Sequence, residues 1–507
     1  MKISLINVNL VAEDAIGTCI INQVRFFSRR GDGVRVYVPS LPHHVPADIA
    51  AVTSVVTLDD LMGGQQEHFR LSDLYIYHYP GYYDLLESMQ RLERGTVIFY
   101  HHNITPPELW GTDVDRESLA HSIRQTNLVH YADVAITDSP FNKQDLVERT
   151  GYAPDRIHVL PLAVRVEQFT PGDRDTDLVR RYDLEGQQVL LFVGRMAGNK
   201  RIDLLIEALA RIKGQVPNVK LLLVGDDQSN PAFHQIVADA RARAEELGVA
   251  QAVIWTGRVD KLLPHYRLAD VYVTASLHEG FGVPLIEAMA CGVPVVASRA
   301  GAMPWVLGNA GLLCKPEDAA NLAAQVLRVL QDADLRQDLV ERGLKRAQEF
   351  GLENYEAGLG EIVHQAVIYT LPEIPPELLA STKEETKAEP VSPFPQDQSL
   401  LGGLTHEIEA HSDVAQRGYV VRSKAPLVGP FIAWVRRNLT SHLREPYLDP
   451  MVERQVAQNR RLAEWLGRAG GALAVSARRQ ASLEARVRAL EAQVEALARR
   501  LDEEGHD

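Results

Sequence analysis

Cysteine is scarce in this chain of 507 residues, which contains three: Cys19, Cys291 and Cys314. Their number is odd and they lie far apart, so no disulfide framework is expected. No spacing typical of a structural zinc site appears either, and we expect no metal and no other bound cofactor. Free thiols are typical of a reducing compartment, which predicts a cytoplasmic protein.

Positive charge and long apolar runs are also scarce. The chain has 53 Lys and Arg against 67 Asp and Glu, for a net charge of −14, and this balance argues against a broad nucleic-acid-binding surface. No apolar run is long enough to span a bilayer, and residues 3–8 open the chain as a strand with no signal peptide before it. The expected location is the cytoplasm, with the inner face of the membrane as the alternative.

The remaining composition is that of an ordinary globular protein, with 46% hydrophobic and 24% charged residues. The chain is longer than a single hydrophobic core usually organises, so two domains and an appendage are expected. Apolar strands alternate with helical patterns through most of the chain, which predicts an α/β fold.

The most informative stretch is residues 276–289. An apolar run before it predicts a buried strand, and Pro284 suits the start of a helix. Gly280 and Gly282 let the backbone come close to a ligand. A strand, a glycine loop and a helix N-terminus together collect unpaired N–H groups and a positive dipole, which favours a phosphate.

Two carboxylates flank this loop. Glu279 follows the strand, and a helix predicted over residues 285–291 places Glu287 in its first turn, pointing back toward the same mouth. A phosphate would not attract two acids, but a sugar with vicinal hydroxyls would, because a carboxylate accepts two O–H bonds at once. Phosphate donors beside hydroxyl acceptors favour a nucleotide sugar. A helix that simply carries an acidic residue in its first turn is the plain structural alternative.

The string Glu-Gly-Phe-Gly-Val-Pro-Leu-Ile-Glu-Ala-Met-Ala at residues 279–290 resembles the Glu-x7-Glu motif of the family 4 retaining glycosyltransferases, of the bacterial cell-surface polysaccharide type. The resemblance implies the GT-B fold, in which two Rossmann-like domains face a cleft. It implies that Glu279 contacts the donor sugar and that Glu287 holds the nucleotide ribose. The further substrate-binding candidates in this string are Phe281, Gly282, Val283 and Leu285.

A basic pair upstream completes the predicted donor site. Gly194, Arg195 and Lys200 follow a predicted strand, and the Gly-Arg-x4-Lys pattern resembles the diphosphate clamp of the family. Arg195 can fork two phosphate oxygens and Lys200 adds a point charge, so both are candidates to stabilise the departing diphosphate. Arg258, after a later strand, is the candidate for stacking on the nucleotide base, with a solvated arginine as its alternative.

Three positions in the N-terminal part resemble donor-site residues of the family. Gly17 is the candidate for backbone contact with the diphosphate, and a turn glycine is an equally good account. His102, within Tyr-His-His-Asn-Ile-Thr-Pro, is the candidate to face the donor sugar, with a helix-cap or core histidine as its alternative. Its neighbour His101 is expected on the other face. Ser139 is expected chiefly as a helix N-cap.

The chain therefore divides into five expected segments. They are an N-terminal Rossmann-like domain on the acceptor side (residues 1–168), a Rossmann-like domain on the nucleotide-sugar side (169–350), a helix returning onto the first domain (351–370), a proline-rich disordered linker (371–427) and a helical extension (428–507). The family resemblance covers the first three.

Two helical patterns lie in the extension. An apolar face flanked by arginines suits either an anionic membrane surface or packing on another helix, and consists of Phe431, Trp434, Val435, Leu439 and Leu443. A heptad seam predicts a short coiled coil that joins identical chains or docks an assembly partner. The seam consists of Leu483, Val487, Leu490, Val494, Leu497 and Leu501.

The sequence thus predicts a metal-independent, retaining hexosyltransferase in cell-surface polysaccharide synthesis. Its co-substrates would be a nucleotide diphosphate sugar and a glycan, lipid-linked or small acceptor. The competing hypothesis is a transferase-like scaffold that no longer reacts and recruits partners through its coiled coil. The intact Glu pair, Arg195 and Lys200 argue against this scaffold. A sugar-nucleotide epimerase of the same fold matches the Glu-Gly-Phe-Gly string poorly.

Overall fold

The computed structural model describes residues 1–12, 14–110, 113–226, 231–369, 462, 465–484 and 487–488. Within them, two parallel sheets are built from strands that alternate with helices, as the sequence predicts. The predicted linker, the apolar face at residues 431–443 and the seam beyond Val487 lie outside the described residues.

Seven strands form the first sheet: β1 (Lys2–Ile6), β2 (Gly33–Val38), β3 (Thr53–Val55), β4 (Leu74–Tyr79), β5 (Thr96–His101), β6 (Val134–Thr137) and β7 (Ile157–Val159). Their spatial order is β3-β2-β1-β4-β5-β6-β7, and all pairs are parallel. The sequence predicts β4 and β6 with these bounds. It does not predict β3, a three-residue edge strand that is largely accessible to solvent.

Six strands form the second sheet: β8 (Gln188–Val193), β9 (Val219–Val224), β10 (Val253–Gly257), β11 (Val271–Thr274), β12 (Val295–Ser298) and β13 (Gly311–Cys314). Their order is β10-β9-β8-β11-β12-β13, again with parallel pairs. In each sheet the direction of winding reverses beside its first strand, and ligands of open α/β sheets bind at such a point.

The α-helices are α1 (Ala15–Arg29), α2 (Ala47–Ala50), α3 (Leu58–Met62), α4 (Glu67–Arg70), α5 (Asp113–Gln125), α6 (Pro140–Thr150), α7 (Thr176–Arg181), α8 (Ile202–Lys213), α9 (Pro231–Glu246), α10 (Leu263–Tyr266), α11 (Val283–Ala290), α12 (Met303–Leu307), α13 (Ala319–Gln331), α14 (Ala333–Gln348) and α15 (Leu352–Tyr369). Short 3-10 helices span Asp84–Arg91, Pro107–Leu109, Thr126–Tyr131, Pro154–Arg156, Gly198–Lys200 and Ala250–Ala252. The sequence does not predict α2 to α5, α7 or α9.

The strands are apolar on both faces because helices cover both faces of each sheet. All residues of β4 and β5 are buried, for example. We call the first sheet with its helices the first lobe, and the second sheet with its helices the second lobe. The two lobes belong to one compact unit of the chain, which also includes α15.

Helix α15 packs on α1 of the first lobe. The Tyr355 hydroxyl accepts a hydrogen bond from Gln23 Nε2 at 2.8 Å and lies 3.1 Å from Cys19 Sγ. Arg29 and Glu356 form an ion pair at the rim of the same contact. The C-terminal helix of the two-lobed unit is therefore anchored on the first helix of that unit.

A second compact unit consists of Glu87–Gly95, His130–Ala132 and Leu371–Asp507. Within it, residues 465–484 form a helix. Arg478 of this helix is 1% exposed, and its Nη2 donates to the carbonyl of Tyr131 at 2.5 Å. The predicted helical extension is thus present at these residues. Across the described residues, no helix is both long and apolar enough to span a bilayer.

Candidate active site

Two loops meet at the carboxyl ends of neighbouring strands in the second lobe. Strand β8 leads into residues 194–200, here called the clamp loop, and β11 leads into residues 275–282, here called the Glu loop. Because β8 and β11 are paired and parallel, the two loops lie side by side. The sequence predicts each loop, and the sheet order brings them together.

Asn199 ties the clamp loop to the Glu loop. Its side-chain Nδ2 donates to the carbonyl of His278 at 2.9 Å, and its own carbonyl accepts from the amide of Leu277 at 2.8 Å. The residue is 3% exposed, so water competes little for these bonds. Sequence reasoning missed Asn199, because both of its partners lie almost eighty positions away in the chain.

Lys200 and Glu279 form a partly buried ion pair. Lys200 Nζ donates to Glu279 Oε1 at 2.5 Å, and the hydroxyl of Ser276 donates to the same oxygen at 2.9 Å. The two charged side chains are 13% and 19% exposed. Because water reaches them little, the charge of each is neutralised mainly by the other. An anionic ligand would compete for Lys200 and would free the carboxylate of Glu279 to accept hydroxyl groups.

The backbone of Glu279 is held from behind by the turn before α12. The amide of Ala302 donates to the Glu279 carbonyl at 2.9 Å. Gly301 has φ +57°, and a Cβ placed there would lie 2.5 Å from that carbonyl oxygen. Only glycine allows the two backbones to approach so closely.

Arg195 projects from the clamp loop and is exposed. Its guanidinium lies 5.0 Å from the ring centroid of Trp110 in the first lobe, a cation–π distance. The amide of Gly198 also donates to the Trp110 carbonyl, at 3.2 Å. Trp110 was not among the predicted site residues, and nothing in its local sequence indicates this contact.

Helix α11 begins at Val283, two residues earlier than the sequence predicts, after Gly282 at φ +99°. The expectation that Glu287 lies in the first turn is therefore wrong: Glu287 is the fifth residue of α11 and lies in its second turn, and the first turn has no acidic residue. No side chain caps the start of α11, and an uncapped helix start attracts anions.

Glu287 is held by a tyrosine. The hydroxyl of Tyr266 donates to Glu287 Oε2 at 2.6 Å. Burial raises the pKa of Glu287 to about 7, and this hydrogen bond acts in the opposite direction. The carboxyl group therefore changes its charge close to neutral pH.

The other predicted residues of the Glu-x7-Glu string are largely enclosed. The ring of Phe281 is 5% exposed and contacts Phe350 edge-on, with 5.6 Å between ring centroids. Leu285 is 1% exposed and Val283 is half-buried. Since these side chains fill the core, a ligand at this loop would meet mainly backbone. Substrate binding by Phe281, Gly282, Val283 and Leu285 stays a prediction.

His102 lies in a buried chain of polar groups. Its Nδ1 is 3.0 Å from Asp138 Oδ2, and its Nε2 is 2.9 Å from Nδ1 of His78. Both ring nitrogens are thus engaged within the first lobe, as in the alternative of a core histidine. The predicted contact of His102 with a donor sugar stays a prediction. The backbone carbonyl of His102 faces Gly280 of the Glu loop. His101 is buried near Asp145, apart from this chain.

The first lobe meets the Glu loop through three polar side chains. His278 Nε2 lies 2.9 Å from Asn103 Oδ1, and Asn103 Nδ2 donates to Asn142 Oδ1 at 2.8 Å. The hydroxyl of Ser139 donates to the carbonyl of Gly280 at 2.8 Å and accepts from the amide of Asn142, which confirms the predicted N-cap of α6. Ser139 thus serves the helix and the contact between lobes together.

The remaining predicted residues lie at the edges of this arrangement. Gly17 is buried, and a Cβ there would lie 1.8 Å from the Val11 carbonyl oxygen, so its turn already requires glycine. Gly194 follows β8 as the first residue of the clamp loop, and its amide donates to the Val224 carbonyl at 2.9 Å. Arg258 follows β10 and is exposed. Their roles toward a ligand stay predictions.

A metal-binding cluster is not found in the part of the chain that the structure describes, where no three His, Cys, Asp or Glu side chains converge. The charges at the two loops are instead those of Arg195, Lys200, Glu279 and Glu287. This set suits a ligand with an anionic group and several hydroxyls.

The known proteins to which this chain is similar include glycosyltransferases. Residues 187–332 match the family model described as Glycosyl transferases group 1. O-antigen chain mannosyltransferase B of Escherichia coli is 32% identical over 289 residues, which cover 55% of this chain and 71% of that protein. A D-inositol 3-phosphate glycosyltransferase of Acidothermus cellulolyticus is 34% identical over 310 residues, covering 57% and 68%.

The chain belongs to the glycosyl transferases group 1.

Solved structures place this glycosyltransferase in the GT-B fold. Anabaena HepE, solved in complex with UDP, superposes with a TM-score of 0.60 at 19% identity over 72% of this chain and 100% of that one. Sucrose-phosphate synthase from Thermosynechococcus elongatus superposes with a TM-score of 0.59 at 20% identity over 72% and 99%. The predicted fold, two Rossmann-like domains with a C-terminal helical segment, is confirmed.

Proposed function

We propose that this glycosyltransferase moves a hexosyl group from a nucleoside diphosphate sugar to a glycan, lipid-linked or small acceptor, with retention of anomeric configuration and without a metal ion. The observation that carries the proposal is the Lys200–Glu279 ion pair, 2.5 Å long, beside the uncapped start of α11. The HepE structures in complex with UDP and UDP-glucose support the donor class. The O-antigen mannosyltransferase relative supports a role in cell-surface polysaccharide synthesis.

Donor binding exchanges the partners of the ion pair. The diphosphate forms an ion pair with Lys200 and also contacts Arg195 and the first N–H groups of α11. The sugar hydroxyls donate hydrogen bonds to Glu279. Glu287 accepts the ribose hydroxyls. The diphosphate replaces Glu279 as the counter-ion of Lys200, so the partly buried lysine keeps an anionic partner when the donor enters, and hydroxyl groups satisfy the carboxylate of Glu279 by hydrogen bonds.

The chemical demand is greatest as the glycosidic bond breaks, because negative charge collects on the departing diphosphate. Arg195 and Lys200 are placed to stabilise that charge more than the charge of the intact donor, and this difference accelerates the reaction. Glu279 orients the sugar. The balancing charges come from the protein, which is why the proposal requires no metal.

The first experiment is a thermal-shift screen of UDP-, GDP- and ADP-sugars on the full chain, followed by measurement of nucleoside diphosphate release with EDTA present. We expect one donor to raise the melting temperature and to be turned over. Proton NMR of the product then reports whether the anomeric configuration is retained. Absence of any shift and of any release with all donors would support the non-reacting scaffold.

The roles of Arg195 and Lys200 are tested by Arg195→Ala and Lys200→Met. Each should lower kcat roughly 10- to 1000-fold, as expected for loss of a group that meets developing charge. The control is Lys220→Met, which removes the lysine of a surface ion pair with Asp183 in the same lobe. Its kinetics should match those of the unsubstituted protein. Equal kinetics in all three variants would remove the predicted clamp.

A further inference from the structure

A chain of five buried polar side chains crosses the first lobe beneath the site. The Asp138 carboxylate meets His102 Nδ1 at 3.0 Å, His102 Nε2 meets His78 Nδ1 at 2.9 Å, and His78 Nε2 meets Gln23 Oε1 at 2.9 Å. Gln23 Nε2 then donates to the Tyr355 hydroxyl at 2.8 Å. The proposed function uses none of His78, Gln23 and Tyr355.

His78 is the central member of this chain. It lies within β4, is fully buried, and its ring is parallel to that of His102 within 5°, with 5.2 Å between centroids. Burial lowers the pKa of His78 well below its usual value, which keeps the ring uncharged. Because both ring nitrogens of His78 have partners, its ring has one orientation. The bond from His78 Nδ1 to His102 Nε2 in turn fixes the orientation of the His102 ring.

The constraint ends at a strained piece of backbone. Asn103, the residue after His102, has φ +70°, a left-handed conformation that non-glycine residues seldom adopt. This conformation turns the His102 carbonyl and the Asn103 side chain toward the second lobe. A Cβ on Gly280 would lie 3.1 Å from that carbonyl and 3.0 Å from Asn103 Cβ. Gly280 is the neighbour of Glu279.

We propose that His78 is a positioning residue for sugar transfer. By holding the ring of His102, it keeps the strained backbone at His102 and Asn103 in register with the loop that carries Glu279. The kinetic part of this proposal rests on the proposed function. The nucleotide half of the donor lies on the second lobe, so loss of His78 should lower kcat and leave the affinity for UDP unchanged.

Three substitutions separate the hydrogen bond from the packing. In His78→Asn the amide reaches the place of Nδ1 and retains the bond to His102. In His78→Gln the amide reaches the place of Nε2, retains the bond to Gln23 and loses the bond to His102. His78→Phe keeps an aromatic ring at this position and loses both bonds.

We expect His78→Asn to keep kcat within a few-fold of the original, and His78→Gln and His78→Phe to lower it about 10- to 100-fold, as a small misplacement of reacting groups does. The dissociation constant of UDP, measured by calorimetry, should be the same in all of them. A role limited to packing predicts the reverse order, with phenylalanine the best replacement.

The matched control is His101→Phe. His101 is as fully buried as His78 and adjoins His102, but it faces Asp145, at 3.7 Å, and lies outside the chain. This variant loses a buried imidazole and should lose thermal stability, while kcat stays close to that of the original protein. If His101→Phe and His78→Phe lower kcat equally, the proposal is overturned.

Hydrogen–deuterium exchange of the ligand-free chain tests the same idea without turnover. His78→Gln and His78→Phe should exchange faster in residues 101–105 and 276–282, and His78→Asn should match the original protein. Where no nucleotide sugar is turned over, the proposed function fails and exchange still decides the role of His78. Equal exchange rates in all variants would overturn the positioning role of His78. If His78→Phe does not fold, the comparison of His78→Asn with His78→Gln is sufficient for the test.

Discussion

At the scale of single residues, the site depends on two carboxyl groups in different surroundings. Glu279 has a cation at 2.5 Å, whereas Glu287 has a tyrosine hydroxyl at 2.6 Å and is mostly buried. Lys200 supplies Glu279 with a counter-ion, whereas burial favours the neutral form of Glu287. The identical residue types of the Glu-x7-Glu motif therefore receive different tasks from their neighbours.

The raised pKa of Glu287, about 7, predicts a pH dependence of nucleotide binding. The carboxyl group takes up a proton as the pH falls through 7, and ribose hydroxyls donate best to the ionised form. UDP should bind roughly tenfold more weakly for each pH unit below the pKa, as measured by calorimetry between about pH 6 and pH 8. Affinity should level off at the alkaline end.

Two variants isolate this effect from the titration of UDP itself. Glu287→Gln should bind weakly and retain only the pH dependence that belongs to the ligand. Tyr266→Phe removes the hydrogen bond that lowers the pKa, so its transition should move to higher pH. A pH profile of Glu287→Gln that matches the original would contradict the prediction.

The same pKa shift acts on folding with a defined sign. Between the usual pKa of 4.5 and the folded value of about 7, the folded chain binds a proton that the unfolded chain has released. The contribution of Glu287 to the free energy of unfolding is therefore fully present below 4.5 and falls as the pH rises through 7. Glu287 lowers stability at neutral pH, as expected for a group retained for binding.

At the scale of elements, the decisive feature is how closely one loop backbone approaches another. The turn at Gly301 supports Glu279 through backbone atoms alone, and the clamp and Glu loops are joined through Asn199. Loops held in this way place a side chain more exactly than their own conformational preferences would. A substitution that separates the backbones should therefore disturb function more than folding.

Gly301→Ala should lose turnover by tenfold or more, because its Cβ would lie 2.5 Å from the Glu279 carbonyl oxygen. Gly248→Ala is the control, since Gly248 has φ +67° and nothing within 4 Å of a Cβ. In both variants, an alanine in the left-handed region lowers the free energy of unfolding by about 1–2 kcal/mol. Gly301→Ala should be the less stable of the two, because its Cβ must also displace the backbone of Glu279. Thermal melts and nucleoside diphosphate release, measured together at a temperature where both variants are folded, should show that turnover is lost in Gly301→Ala and kept in Gly248→Ala. Equal turnover would show that Glu279 does not need this support.

At the scale of the whole described molecule, α15, the last helix of the two-lobed unit, packs on its first helix, α1. Leu359, Ile362, Val363 and Ala366 are buried in a core that also includes residues of α1 and of both sheets. The polar chain through Tyr355 and Gln23 runs through the same contact. The helix is thus part of the core that supports the site, although it lies after all the strands that the structure describes.

Leu359→Ala should lower the free energy of unfolding by about 2–5 kcal/mol, the usual cost of removing a fully buried leucine side chain. Urea or thermal unfolding followed by circular dichroism measures it. His364→Ala, at an exposed position of the same helix, should change stability by less than about 0.5 kcal/mol. Equal effects would mean that α15 does not contribute to the core.

The strands were largely predictable because their signals are local. β4 and β6 were predicted with the bounds observed, since a run of mainly apolar and aromatic residues, interrupted in β4 by His78, identifies a strand covered on both faces. α9 escaped prediction, and so did the edge strand β3, which has no such run. The start of α11 was placed two residues late, and this small error moved Glu287 into the wrong turn.

The candidate site also has features that the local sequence predicts and features that it does not. The sequence by itself determined the two loops, the residues on them that carry charge, and the family, because each is encoded by residues adjacent in the chain. Only the tertiary structure decided what each residue meets: Lys200 meets Glu279, Arg195 meets Trp110, and His102 turns its ring to His78 and its carbonyl to Gly280. These contacts depend on which strands pair and where the lobes touch, and no local pattern contains that information.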